Sequence, residues 1–238
     1  MSKKEMTVCI INYNTPELVA TAIMSLNKHT PGCKVVVFDN SDKKPFYGGN
    51  GFGLSNTEII YNTRQELIHF SAILRMDFPD REPSPDNDYA SFKHCYTVHC
   101  LTQILWDPFI LMDSDVLITQ DITPLWDESQ VFVGHVKPHR SRFGTVERVL
   151  PHLCFINVPM MRENGVAYYN PQKMFALSHR SPDNAYDTGA WFLEDCRSHA
   201  LPYREIDINQ YCIHLGHGSW KNKNAQAWLQ EHKGLWHG

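Results

Sequence analysis

Asp113-Ser114-Asp115 follows the apolar run Phe109-Ile110-Leu111-Met112 with no spacer. A run that buries four large apolar side chains and then ends in two acids delivers charge to a surface. An extended backbone turns alternate side chains to the same side, so Asp113 and Asp115 can converge on one point. Converging carboxylates repel unless a cation lies between them. The triplet therefore reads as a hard-metal site, for magnesium or manganese, that holds a phosphate. A bare Asp-x-Asp is also what a strand end followed by a polar turn looks like. The apolar run ahead of it and Val116-Leu117-Ile118 behind it favour the metal.

Other elements must bring partners to this strand. Val8-Cys9-Ile10-Ile11 is an uninterrupted apolar run, the pattern of a strand covered on both faces. Thr15 is placed to cap a helix with Pro16 at its first position, and Leu18, Val19, Ala22, Ile23 and Leu26 fall on one helical face. Gly32 closes that unit, and Val35-Val36-Val37-Phe38 forms a second buried strand ending in Asp39-Asn40. Strand, helix and strand in this order make a βαβ unit and begin a parallel sheet. Gly48 to Gly53 is a glycine-rich loop outside the Gly-x-Gly-x-x-Gly register, so a dinucleotide fold is not supported. Ile59-Ile60-Tyr61 reads as a short strand, and residues 63–75 as a helix. Pro79, Pro83 and Pro85 mark an exposed irregular segment, and Ser91 to Trp106 reads as the helix that feeds the acidic strand. Further on, Val131-Phe132-Val133 and Leu153-Cys154-Phe155-Ile156 read as strands, and Pro171 to Ser178 and Thr188 to His199 as helices. Trp220, Trp228 and Trp236 recur at spacings of eight near the end, as in a helix folding back on the body.

The bulk numbers bound the class. A chain of 238 residues, 42% hydrophobic and 20% charged, builds one substantial core. We therefore expect a single α/β domain over residues 1–238. A net charge of -4 with no basic block argues against nucleic acid as a partner. Seven cysteines without a Cys-x-x-Cys pair indicate neither a disulfide framework nor a zinc ribbon, and Cys9, Cys100 and Cys212 read as small buried hydrophobes. The segment ahead of the first strand is too short for a signal sequence, and a cytoplasmic location is the default expectation. Peripheral association with a membrane surface is compatible with this.

The order of these segments resembles the GT-A fold of nucleotide-sugar-dependent glycosyltransferases, nearest to glycosyltransferase family 2 and with features of family 8. Val8 to Thr15 is similar to that fold's first strand and donor loop, and Val36 to Ser41 to its second strand. Phe109 to Val116 resembles its Asp-x-Asp strand, and Cys212 to Trp220 its C-terminal His-Gly-Trp segment. The resemblance implies a mostly parallel Rossmann-like sheet flanked by helices, with about 7–118 as the nucleotide-sugar-binding half, about 119–220 as the acceptor half and 221–238 as a tail. It implies a hexosyltransferase-like enzyme of polysaccharide biosynthesis, moving a sugar from a nucleoside diphosphate-sugar, a uridine one first, to a hydroxyl of a growing glycan or a lipid-linked acceptor. Its metal would be held by Asp113, Asp115 and a late histidine. His214 has the family position, and His217 is the alternative. An imidazole among the ligands tilts the ion toward manganese over magnesium.

The donor side carries over onto Asp39, whose carboxylate can accept a nucleobase N–H or a ribose hydroxyl, although it equally suits a turn ahead of Asn40-Ser41-Asp42. Asp113 can also meet the ribose; Tyr13 can stack on a base or simply pack behind the strand; and Lys93 or His94 can meet a phosphate or belong to a solvated first turn, the commoner fate for Lys93. An inverting transfer needs a carboxylate base on an oxocarbenium-like path. Asp187, just ahead of a helix, lies where family 2 carries its base, and helix capping is its other reading. Glu194 and Asp195 are alternatives, although inside a helix they read as surface charges. His152, Asn157 and Trp191 are candidate lining for an acceptor pocket, and core or strand-end roles suit them at least as well. Two rivals stand beside this reading. One is a haloacid dehalogenase-like phosphatase with Asp113 as nucleophile, whose Asp-x-Asp strand would ordinarily come first in the chain. The other is an inactive GT-A domain that only binds a nucleotide.

Overall fold

Uninterrupted apolar runs become the inner strands of one sheet. The computed structural model describes residues 5–41, 43–48, 56–62, 88–141, 144–170, 188–216 and 224–237. Within them the strands are β1 (Thr7–Asn12), β2 (Lys34–Asp39), β3 (Thr57–Tyr61), β4 (Phe109–Asp113), β5 (Val116–Ile118), β6 (Phe132–Gly134), β7 (Val136–Ser141), β8 (Gly144–Val149), β9 (Leu153–Ile156), β10 (Arg204–Glu205) and β11 (Cys212–His214). The helices are α1 (Pro16–His29), α2 (Asp88–Ile104), α3 (Val158–Glu163), α4 (Ala190–Ser198) and α5 (Ala225–Glu231). Seven strands form the main sheet in the order β10-β6-β9-β4-β1-β2-β3. Its pairs are parallel except for β9, which runs antiparallel to both β4 and β6.

Alternation along these strands divides the core in two. Cys9, Ile11, Val36, Phe38, Phe109 and Leu111 pack on one face of the sheet, and Val8, Ile10, Val35, Val37, Ile110 and Met112 on the other. Each such aliphatic side chain contributes about 1.5–3 kcal/mol of burial. The second face is covered by α1, whose Leu18, Val19, Ala22, Ile23 and Leu26 are all buried as their spacing predicts. The first face is covered by α2 through Cys95, Val98 and Leu101. This helix is set two or three residues earlier than its sequence pattern indicates. Its end is held by the Arg162 guanidinium, which donates to the Thr102, Gln103 and Leu105 carbonyls and lies 3.9 Å from the Trp106 ring centre.

Two expectations change in detail. Asp113 and Asp115 do not share one continuous strand. β4 stops at Asp113, Ser114 and Asp115 turn, and β5 leaves the main sheet to pair antiparallel with β11. The second acid is therefore aimed by a turn and not by strand alternation. Thr15 stands at the start of α1 with Pro16 behind it, but its hydroxyl makes no cap and binds Asn12 instead. The expected helices at 63–75 and 171–178, the proline-rich segment and most of the glycine cluster lie outside the described residues.

β7 and β8 form a separate hairpin. It is seated on α4 by Gly189, whose φ of +85° is in the left-handed region and where a Cβ would collide with the Val149 carbonyl. At the far end of the chain α5 folds back toward α1. Leu229 is buried there, and the Lys28 ammonium donates to the Gly234 and His237 carbonyls at 2.8 and 3.0 Å. All seven cysteines are free thiols. Among the described residues no helix is long and apolar enough to cross a membrane.

Candidate active site

The parallel strands β2, β1 and β4 end side by side. Register pairs Asn12 with Asp39 and Ile11 with Asp113, so three polar strand ends open at one edge of the sheet. Carboxyl ends of parallel strands are where open α/β sheets bind their ligands, because the connecting loops diverge there.

Asp113 is gripped from both sides. Its Oδ1 lies 3.0 Å from His94 Nε2, and its Oδ2 lies 2.9 Å from His152 Nδ1. Burial pushes this carboxyl up, but the bonds from His152 and His94 more than reverse it, leaving it well below the usual carboxylate range. His152 is delivered by backbone pairing: β9 aligns Leu153 with Met112, so the residue ahead of β9 meets the residue after Met112. The Asp113 amide donates to the His152 carbonyl at 3.0 Å and fixes that register. His94 comes from α2, and its other nitrogen, Nδ1, is buried without a hydrogen-bond partner.

Asp115 has a different neighbour. Pairing of β11 with β5 sets His214 opposite Val116, and His214 Nε2 lies 3.1 Å from Asp115 Oδ1. Burial pulls the His214 imidazole down, but the bond to Asp115 and the nearby carboxylate charges outweigh it, so its pKa lies above the ordinary value. The His214 ring stacks on that of His152 with centres 3.7 Å apart. One ligand atom each from Asp113, His152 and His214 falls within 4.8 Å of the others, a mixed oxygen and nitrogen set suited to a first-row divalent cation.

The donor-side loop is wired to the same centre. The Asn12 side chain is buried and uses both ends: Nδ2 donates to Asp39 Oδ1 and Ser41 Oγ, and Oδ1 accepts from the Thr15 amide and hydroxyl. Thr15 Oγ1 in turn lies 3.1 Å from Ser114 Oγ, the residue between the two acids.

No protein-family model matches the sequence, and no curated protein does. Solved structures do match. The galactosyltransferase LgtC, crystallised with donor and acceptor sugar analogues, superimposes with a TM-score of 0.52 at 13% identity, over 85% of this chain and 74% of LgtC. An active-site variant of LgtC gives 0.51 at 12% identity, over 85% and 73%. The chain has a GT-A fold. The glycosyltransferase GlyE of Streptococcus pneumoniae also matches, with a TM-score of 0.47 at 16% identity, over 87% of this chain and 46% of GlyE.

In this GT-A frame the acidic strand is the fourth in chain order and not the first, unlike the strand that a dehalogenase-like phosphatase would use for its nucleophile. Asp113, Asp115, His94 and His214 come together at one sheet edge, and Tyr13 lies partly exposed in the loop after β1. Asp39 is 3% exposed, and its oxygens accept from Asn12 and from the amides of Ser41 and Phe46. It organises the turn after β2, the second of the two roles its position suggests. Asp187 and His217 lie outside the described residues. Asp195, expected as a surface charge, is 7% exposed and accepts from the Ala167 amide. Asn157 caps α3 and donates to the Glu128 and Gln130 carbonyls, so it is a staple between loops and not pocket lining. His152 takes the strand-end place that is one of its two readings, and what the sequence does not show is that this sets it against Asp113. A histidine directly ahead of a buried strand was the available signal, because an antiparallel neighbour would set it against the end of β4.

Proposed function

We propose that this chain is a metal-dependent glycosyltransferase that moves a sugar from a nucleoside diphosphate-sugar, a uridine one first, to a hydroxyl of a glycan or lipid-linked acceptor. The observation that carries this is the convergence of Asn12, Asp39 and the Asp113–His152–His214–Asp115 cluster at the carboxyl edge of a GT-A sheet. A cation bound at Asp113 and the late histidine would supply charge neutralisation and Lewis acidity at the departing phosphate oxygen.

The chain's own residues do the rest. His94 and His152 keep Asp113 ionised and in one rotamer. Asp115 orients His214, and the Asn12 relay holds the loop after β2 in register with the acidic turn. For an inverting reaction the base is assigned to Asp187, which precedes Thr188 and α4 and would accept the acceptor hydroxyl proton. A base of this kind accounts for roughly 10²–10⁴-fold in rate. Residues 1–238 are read as one catalytic domain. Manganese is the ion of first choice, and a lipid-linked acceptor would bring the chain to a membrane surface.

The test is cleavage of nucleotide-sugars by the purified chain with manganese. Release of the nucleoside diphosphate that stops on chelation and is lost in Asp113→Asn supports the reading. A folded chain that neither binds nor cleaves any nucleotide-sugar, with or without manganese, overturns it.

A further inference from the structure

The ligand set expected from the sequence is Asp113, Asp115 and one late histidine. The geometry points to a different one: we propose that the cation is held by Asp113, His152 and His214, with Asp115 supporting His214 and not touching the ion. Two imidazoles and one carboxylate would make this centre select manganese or its nitrogen-tolerant neighbours over magnesium. The inference rests on the proposed function only in taking the edge at Asp113 as a cation site; it does not require sugar transfer.

Exposure separates the two acids. The side chains of Asp113, His152 and His214 are 18%, 21% and 24% exposed, so all three reach one open flank. Asp115 is 8% exposed and lies beneath, with its Oδ1 on His214 Nε2. A metal-bound histidine ordinarily gives its other ring N–H to a carboxylate, which fixes the tautomer and the ring direction. Asp115 has that place with respect to His214, leaving Nδ1 of His214 for the ion.

Distances agree. Metal bonds of about 2.1 Å set adjacent ligand atoms about 3 Å apart; Asp113 Oδ2 and His152 Nδ1, hydrogen-bonded at 2.9 Å without the ion, have that spacing, and the ion would take the place of their shared proton. The two rings stack with centres 3.7 Å apart, one just ahead of β9 and one on β11, so they would part by roughly 1 Å to seat a nitrogen of each on one ion. Strand pairing on each side brings both rings beside Asp113. Softness follows from composition: carboxylate and water suit magnesium, imidazole suits the first-row transition ions, and two histidines with one carboxylate and open positions form a recognised transition-metal arrangement.

The decisive measurement counts nitrogens. The full chain is loaded with manganese alone, without nucleotide, with histidine carrying either nitrogen isotope, and examined by pulsed electron paramagnetic resonance. Two coupled imidazoles are expected in the unmodified chain and one in His152→Ala. In parallel, His152→Ala should weaken manganese binding at least tenfold and magnesium binding by less than threefold. A single imidazole in the unmodified chain overturns the inference, as does an unchanged manganese-to-magnesium preference in a folded His152→Ala, or no manganese binding at all. The imidazole count on the unmodified chain does not depend on any variant folding. A chain that binds manganese through two imidazoles but transfers no sugar removes the proposed activity and leaves this inference standing. A chain that transfers sugar with one imidazole does the reverse.

Discussion

Histidines near carboxylates make the site's behaviour depend on pH, and the sign can be worked out for His214. Its pKa is raised in the folded chain because the Asp115 bond outweighs burial. A raised imidazole contributes stability that is fully present below the unfolded value of about 6.5 and is lost as pH rises through the folded value. With chelator present, urea unfolding at a series of pH values should therefore show stability falling from pH 6 upward. Asp115→Asn should flatten that slope. An equal slope in both chains would show that the pair at 3.1 Å carries no linkage. Asp113 works in the other direction. Its folded pKa is depressed, so its contribution is present above about 3.8 and is lost as pH falls through the folded value. Manganese affinity should rise with pH over the imidazole range, because only neutral imidazole binds the ion.

Elements meet through a few polar staples, and these can be removed singly. Asn12 makes four hydrogen bonds that tie the end of β1 to the turn after β2 and to the start of α1. Asn12→Ala leaves buried partners unpaired, each worth about 1–3 kcal/mol. We expect a loss of roughly 2–4 kcal/mol in denaturant unfolding, together with weaker nucleotide binding because Asp39 and Ser114 lose their common anchor. Asn12→Asp should be at least as damaging, since it sets a second buried carboxylate against Asp39 in place of a donor. At Gly189 the backbone decides. A side chain there incurs about 1–2 kcal/mol for the left-handed conformation alone. It would also push the Val149 carbonyl away, so Gly189→Ala should lower the melting temperature while leaving metal binding at Asp113 intact.

For the molecule as a whole, the site lies where strands from both halves of the chain adjoin. β1, β2 and β4 come from the first half, and β9, which delivers His152, comes from the second. A ligand that bridges these strand ends binds only the assembled sheet, so it should stabilise the entire fold and not one segment. A uridine diphosphate with manganese at a hundred times its dissociation constant would add about 2.7 kcal/mol. The expected observation is a single, shifted unfolding transition by calorimetry. A nucleotide that leaves the transition in place would count against donor binding. The tail follows the same logic on a smaller scale, since α5 and the Lys28 bonds close the chain's end onto α1.

Sequence alone determined the inner strands and the face of α1, because runs buried on both sides and a helical apolar stripe are patterns of neighbouring residues. Val8 to Ile11, Val35 to Phe38, Phe109 to Met112 and Leu153 to Ile156 are all strands of the main sheet. It also named Asp113 and Asp115 as acids at the end of a buried strand, while His214 was named through the family resemblance and His94 as a phosphate contact at the start of a helix. Tertiary structure alone decided which acid meets which imidazole. That depends on β9 running antiparallel beside β4 and on β5 leaving the sheet to pair with β11, and strand pairing over tens of residues leaves no local trace. For the same reason the sequence left His152 between pocket lining and a strand-end role and did not set it against Asp113. Asp39 read as an even choice between nucleobase and turn, and only the tertiary structure shows its carboxylate accepting from Asn12, Ser41 and Phe46.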